Sequence, residues 1–175
     1  MSRAERPFLD FYEKHSVIPT TLNIPDQNKF FKQRDFLLET LGVPTHFLRG
    51  ANILELGPGT GQKAVHLLSL NPSSYTAIDN NQESIKSTKK VIEQSGFRGF
   101  TKIFSTDFLN YVDNKQYDLI LAEGVLPTQN EPILFLRKLS EQLVARGLLI
   151  FTCMDPVSLL SETLRNAIVK NLQLI

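Results

Sequence analysis

The chain is predicted to fold as an α/β protein, a doubly wound parallel sheet with strand order 3-2-1-4-5 and helices on its faces. Three observations predict it. The apolar run Ile53-Leu54-Glu55-Leu56 passes directly into a glycine cluster and then into a helix-patterned segment. Four more short apolar runs follow, each separated from the last by a connecting segment. The runs ending at Asp79 and Glu123 place a carboxylate at the carboxyl end of a strand, the edge where ligands bind in such sheets.

Each element has its own justification. Asp26 is a candidate N-cap for a helix over residues 26–41, with Phe30, Phe31, Leu37, Leu38 and Leu41 as its apolar positions and Gly42 and Pro44 as its stop. The first strand covers residues 53–56, and the helix after the glycines covers 63–70. The second strand, 75–79, ends at Asp79; Asn80 and Asn81 can cap the next helix, which carries Ile85 and Ile92 in phase and stops at Gly96. A third strand, 101–106, leads into Asp107 and Phe108, and a fourth, 117–122, ends at Glu123-Gly124. Asn130-Glu131-Pro132 opens a helix with Ile133, Leu136, Leu139 and Leu143, and a fifth strand is expected over 148–153. A last helix opens at Asp155-Pro156 and carries Val157, Leu160, Leu164 and Ile168 on one face.

The glycine turn carries the chemistry. Glycines allow a tight turn and a close backbone approach that any Cβ would obstruct. The helix that follows offers unpaired N–H groups and a partial positive charge to an anionic group. A dinucleotide fingerprint would read G-x-G-x-x-G. Here Gly57, Gly59 and Gly61 alternate, and Gln62 stands where that fingerprint has its third glycine, which disfavours a nicotinamide-dependent reductase. Asp79, at the end of the second strand, suits the two hydroxyls of a ribose, since a carboxylate can accept from both.

Glu55-x-Gly57-Pro58-Gly59-Thr60-Gly61 resembles the first motif of the class I S-adenosylmethionine-dependent methyltransferases, and the later elements agree with that family in order over residues 49–153. The resemblance implies a Rossmann-like fold and S-adenosyl-L-methionine as cofactor, with S-adenosyl-L-homocysteine as product. It implies cofactor-binding roles for Glu55, Gly57, Pro58, Gly59, Thr60, Gly61, Asp79, Asn80, Asp107, Phe108 and Glu123. Within that set Glu55 would lie near the cofactor's amino group, Asp107 would accept from the adenine amine and Phe108 would pack on the ring. Ala145-Arg146-Gly147 before the fifth strand looks like the family's turn into that strand.

Composition narrows the function further. The 175 residues suffice for one domain with a substantial core, and the net charge of +1 without a polybasic run argues against nucleic acid as partner. The single cysteine, Cys153, excludes an intrachain disulfide and is expected to be buried and inert. His15, His46 and His66 are scattered, so no metal site is expected. No apolar stretch is long enough to span a membrane and the N-terminus does not resemble a signal peptide, so the expected location is cytoplasmic.

Three segments result: 1–48, an N-terminal helical and extended segment suited to a substrate lid; 49–153, the cofactor-binding core; and 154–175, a C-terminal helix. In the family, two further strands follow as an antiparallel hairpin. Their absence here leads to the expectation of a truncated chain or of a homodimer that covers the edge of the fifth strand. The expected activity is methyl transfer to a small-molecule acceptor, with a sugar or other hydroxyl favoured. A hydroxyl must lose a proton, and Glu123 at the mouth of the fourth strand is the candidate catalytic base, ahead of Tyr12, His15 and Asp155. The alternative is a catalytically silent cofactor-binding subunit or an inactive truncated core.

Overall fold

The structure is a computed structural model that describes residues 17–18, 22–97 and 99–153, together with 155, 157, 160 and 164. Five parallel strands, β1 (Asn52–Leu56), β2 (Ser74–Asp79), β3 (Thr101–Ser105), β4 (Tyr117–Ala122) and β5 (Leu143–Phe151), form one sheet in the order β3-β2-β1-β4-β5. This is the expected order. The α-helices that accompany the sheet among the described residues include α1 (Gln27–Thr40), α2 (Gln62–Ser69), α3 (Gln82–Ser95) and α4 (Pro132–Glu141).

Side-chain alternation along the central strands divides the core in two. Ile53, Tyr75, Ala77, Leu119 and Leu121 pack with Ala64, Leu67 and Leu68 of α2, Ile92 of α3 and Leu38 of α1. Leu54, Leu56, Ile78, Ile120 and Ala122 pack with Phe135 and Leu139 of α4. Because β1 and β4 are buried on both faces, they read as nearly continuous hydrophobic runs, as central parallel strands do.

The helix ends follow the expected caps. Asp26 accepts from the Lys29 N–H at 3.0 Å to open α1. Asn81 accepts from the Glu83 and Ser84 N–H groups to open α3, which Gly96 closes at φ +73°. Here Asn81 is the cap and Asn80 is not.

Several expectations are corrected. On α1 only Leu38 is fully buried among the expected apolar positions, while Leu37 and Leu41 are exposed and Arg34 takes a buried place. On α4 the buried positions are Phe135 and Leu139, four residues apart, and Ile133 faces outward. Leu143 belongs to β5, because the helix ends at Glu141 and the Tyr117 N–H already bonds to the Gln142 carbonyl at 2.8 Å. The fifth strand thus starts five residues earlier than expected. It contains a bulge: between the pairs Tyr117–Leu143 and Leu119–Leu148, a two-residue step on β4 faces a five-residue step on β5, with Arg146 at φ +68°. Cys153 lies two residues beyond the end of this outer strand and is exposed, not buried. At the C-terminal end Val157, Leu160 and Leu164 are helical and exposed; Ile168 lies outside the described residues.

Candidate functional site

β1 lies between β2 and β4, so the segments leaving these three strands meet at one edge of the sheet. The glycine loop leaves β1 there, Asp79 ends β2, and Glu123 follows β4. Gly57, Gly59 and Gly61 all have positive φ, at +66°, +60° and +84°. A Cβ on Gly57 would come within 2.9 Å of the Val125 side chain, and one on Gly61 within 2.7 Å of the Thr88 Cα. The loop therefore needs glycine both for its backbone conformation and for its packing against the segment after β4 and against α3. α3 also fastens the loop: the Thr88 hydroxyl donates to the Gly59 carbonyl at 3.3 Å, and the Ser87 hydroxyl to the Thr60 carbonyl at 3.1 Å. Pro58 and Thr60 are buried in the same turn.

Asp79 is buried and faces that loop. Its carboxylate accepts from the Asn81 N–H at 2.9 Å. Burial raises its pKa above the ordinary carboxylate range, and the backbone N–H groups of Asn81 and Gly59 pull it partly back. Asp107 and Phe108 come at the end of β3. Asp107 accepts from the Leu109 N–H at 2.8 Å, and the Phe108 ring lies 6.3 Å from that of Phe135, within the core layer of α4.

Glu55 is fully enclosed on β1. Its carboxyl accepts from the Tyr75 hydroxyl at 2.5 Å, and burial raises its pKa while the Lys63 charge and the Tyr75 hydrogen bond oppose the rise. Burial and the same carboxyl push the Tyr75 hydroxyl far above its usual value.

Glu123 has a different setting from the free base expected of it. Arg34 of α1 forks onto it, one terminal nitrogen reaching Oε2 at 3.1 Å and the other forming a short bond to Oε1. Lys63 of α2 donates to Oε2 at 3.3 Å. Burial alone would raise the Glu123 carboxyl, but the Arg34 hydrogen bonds and the Lys63 charge outweigh it and hold the group below the ordinary range. A carboxylate with both oxygens engaged by cations is an anchor for charge and a weak proton acceptor.

Arg34 and Lys63 were not singled out in the sequence. The signal for Arg34 was available: it lies between Phe31 and Leu38, three residues from one and four from the other, inside an apolar stripe. Its neighbour Asp35 pairs with Nε2 of His66 at 2.7 Å, and the Phe31 ring meets the His66 ring edge-on. Burial lowers the His66 pKa, with Asp35 opposing. Tyr12 and His15 lie outside the described residues, and Asp155 caps its own turn through the Val157 N–H at 2.9 Å.

A Tyr-x-x-x-Lys spacing occurs at Tyr111 and Lys115, but the two side chains diverge. Tyr111 bonds to Asp113 and Tyr117, whereas Lys115 turns to Ser74 and the Phe100 ring. They form no reductase-type pair. A groove of about 400 Å³ runs along the outer strand β3, lined by Lys102, Phe104, Tyr111 and Val112 among others, and contains neither the glycine loop nor Asp79 nor Glu123. Among the described residues no group of His, Cys, Asp or Glu side chains could hold a metal, and no helix is long and apolar enough to cross a membrane.

The loop and its carboxylates fit an amino-acid nucleoside: glycine at Gly57 and Gly61 lets the loop pack closely on the segment after β4 and on α3, and Asp79 supplies a buried acceptor beside it. A family model described as a methyltransferase domain matches residues 48–173. A curated relative, "Probable (S)-tetrahydroprotoberberine N-methyltransferase 2" of Papaver bracteatum, is 29% identical over 101 residues, which is 57% of this chain and 28% of that protein. The chain thus spans less than a third of that relative's length. The N-methyltransferase NodS of Bradyrhizobium japonicum WM9, solved with S-adenosyl-l-homocysteine, superposes with a TM-score of 0.62 at 18% identity, covering 81% of this chain and 70% of that one. Coclaurine N-methyltransferase, solved with N-methylheliamine and S-adenosyl-l-homocysteine, superposes with a TM-score of 0.60 at 21% identity, covering 76% of this chain and 37% of that one. With the sheet order, the glycine loop and the matched family model all in agreement, this chain belongs to a methyltransferase-domain family.

Proposed function

We propose that the protein transfers a methyl group from S-adenosylmethionine to a small-molecule acceptor and releases S-adenosylhomocysteine. The observation that carries this reading is the loop Gly57–Gly61, which takes positive φ at each glycine and is fastened by α3, with buried Asp79 beside it. When bound, S-adenosylmethionine supplies a methyl group already activated on a sulfonium.

The chain's own contribution is mainly to hold donor and acceptor in line. The glycine loop and Asp79 would bind the cofactor, Asp107 and Phe108 would bound its base, and Glu55 and Glu123 would set the charge near its amino-acid end. Lys63 and Arg34 keep Glu123 ionised, so the site's electrostatics stay fixed during transfer.

The acceptor atom we favour is an amine nitrogen, in place of the hydroxyl expected from the sequence. A neutral amine attacks through its lone pair without a base, whereas a hydroxyl needs one, and Glu123 is committed to Arg34 and Lys63. The curated N-methyltransferase relative, 29% identical over 101 residues, supports this choice. Incubation with S-adenosylmethionine carrying a labelled methyl group, against parallel sets of amines and of hydroxyl compounds, tests it. Label in an amine product supports the reading. Label confined to hydroxyl products would overturn the nitrogen assignment, and no binding of S-adenosylhomocysteine in calorimetry would overturn the cofactor assignment.

A further inference from the structure

Two ties hold the chain that precedes β1 against the ligand edge of the sheet, one on each side of the glycine loop. Beyond β2, the Asn81 side-chain amide donates to the Val17 carbonyl at 2.7 Å. Beyond β4, Arg34 forks onto Glu123. We propose that Arg34 is a positioning residue for methyl transfer: through Glu123 it holds α1 at the mouth of β4 and thereby sets how long the cofactor stays in the glycine loop. The proposal rests on the methyltransferase reading above.

The buried side of α1 is narrow, and it includes a charge. Of this helix only Arg34 and Leu38 are buried, with Phe31 half-buried against the same core layer, while Phe36 and Leu37 face outward. The adjacent residues Arg34 and Asp35 have opposite charges, and each has a partner on a different element: Arg34 pairs with the Glu123 carboxylate after β4, and Asp35 hydrogen-bonds the His66 ring on α2. Rotation of α1 by one residue would set Asp35 against Glu123, so the pair fixes the register of the helix as well as its attachment. Arginine is suited to this: its planar fork engages both oxygens of one carboxylate, which a lysine cannot do.

Lys63 links the tie to the ligand loop. It is the second residue of α2, and Gly61, the third loop glycine, caps that helix. The carboxylate that holds α1 is therefore also held by the helix that opens from the glycine loop. A ligand that orders the loop would order Lys63, and with it the anchor of α1. By reciprocity, loosening α1 must lower the ligand's affinity, a loss that a faster dissociation would express.

The test is a double-mutant cycle of Arg34→Gln and Glu123→Gln, with Arg34→Lys as a conservative variant. Two quantities are read: hydrogen exchange of the α1 amides without ligand, and the dissociation rate of S-adenosylhomocysteine. Circular dichroism checks that each variant is folded. Arg34→Gln should speed α1 exchange and shorten residence about tenfold, within the usual range of coupling between sites. Arg34→Lys should recover only part of the loss. The double variant should be little worse than Glu123→Gln alone, because the two residues act as one unit. Additive losses, or residence unchanged in Arg34→Gln, would overturn the proposal; additivity would make Arg34 an independent ligand contact. If the wild-type protein does not bind S-adenosylhomocysteine, the methyltransferase reading fails, and α1 exchange in the ligand-free cycle still decides whether the tie exists.

Discussion

Replacing Gly61 with alanine should damage the ligand loop and the fold together, and its cost can be separated into two parts. The first is conformational: an alanine at φ +84° sits in the left-handed region, at about 1–2 kcal/mol. The second is steric. The new Cβ would meet the Thr88 Cα at 2.7 Å, and a backbone atom inside a helix cannot turn aside as a side chain can. Forcing α3 outward would add about 1–3 kcal/mol, the scale of overpacking, and would pull Thr88 and Ser87 from the Gly59 and Thr60 carbonyls. Gly96→Ala isolates the first part, since its φ is +73° and a Cβ there meets nothing within 4 Å. Urea denaturation should show Gly61→Ala losing clearly more stability than Gly96→Ala, and calorimetry should show S-adenosylhomocysteine binding lost only in Gly61→Ala. Equal losses in the two variants, with binding kept in both, would refute the reasoning.

Asp79→Ala should weaken S-adenosylhomocysteine binding by about 1–3 kcal/mol in calorimetry, the scale of hydrogen bonds lost from a charged group. Tyr75→Phe leaves the enclosed Glu55 carboxyl without its donor and should cost about 1–3 kcal/mol in denaturant unfolding; an unchanged midpoint would show that bond to be dispensable. His66 has its folded pKa below its unfolded value, so the unfolded chain binds the extra proton and stability falls as pH drops below about 6.5. The fall should be smaller in His66→Gln, measured as urea midpoints between pH 7 and 5.5.

The parts of the fold that could be read from the sequence were those with a local cause. The apolar runs of β1, β2 and β4, the alternating glycines, and the caps at Asp26 and Asn81 are each dictated by nearby residues, and they stand where expected. The start of β5 was hidden because Ala145-Arg146-Gly147 reads as a turn, whereas the chain bulges there and keeps pairing with β4 on both sides. The setting of Glu123 was hidden for another reason: its partner Arg34 is 89 residues away, and only the tertiary packing of α1 brings them together. Likewise, the spacing of Leu37 and Leu41 identifies a helix but does not say which of its sides the sheet will cover.

Asp79, Asp107, Asp113 and Asp155 share a small feature: each carboxylate receives the backbone N–H two residues further on. This short loop closes only with the single methylene of aspartate. Glutamate, though equal in charge, would reach past its own turn and leave it unmade. At Asp79 and Asp107 the choice between the two acids is therefore made by the chain before any ligand arrives. One oxygen is spoken for by the turn, and the carboxylate is held in a single orientation. A glutamate variant at either position would keep the charge of the site and lose its aim, which makes that exchange a more discriminating probe of recognition than removal of the charge.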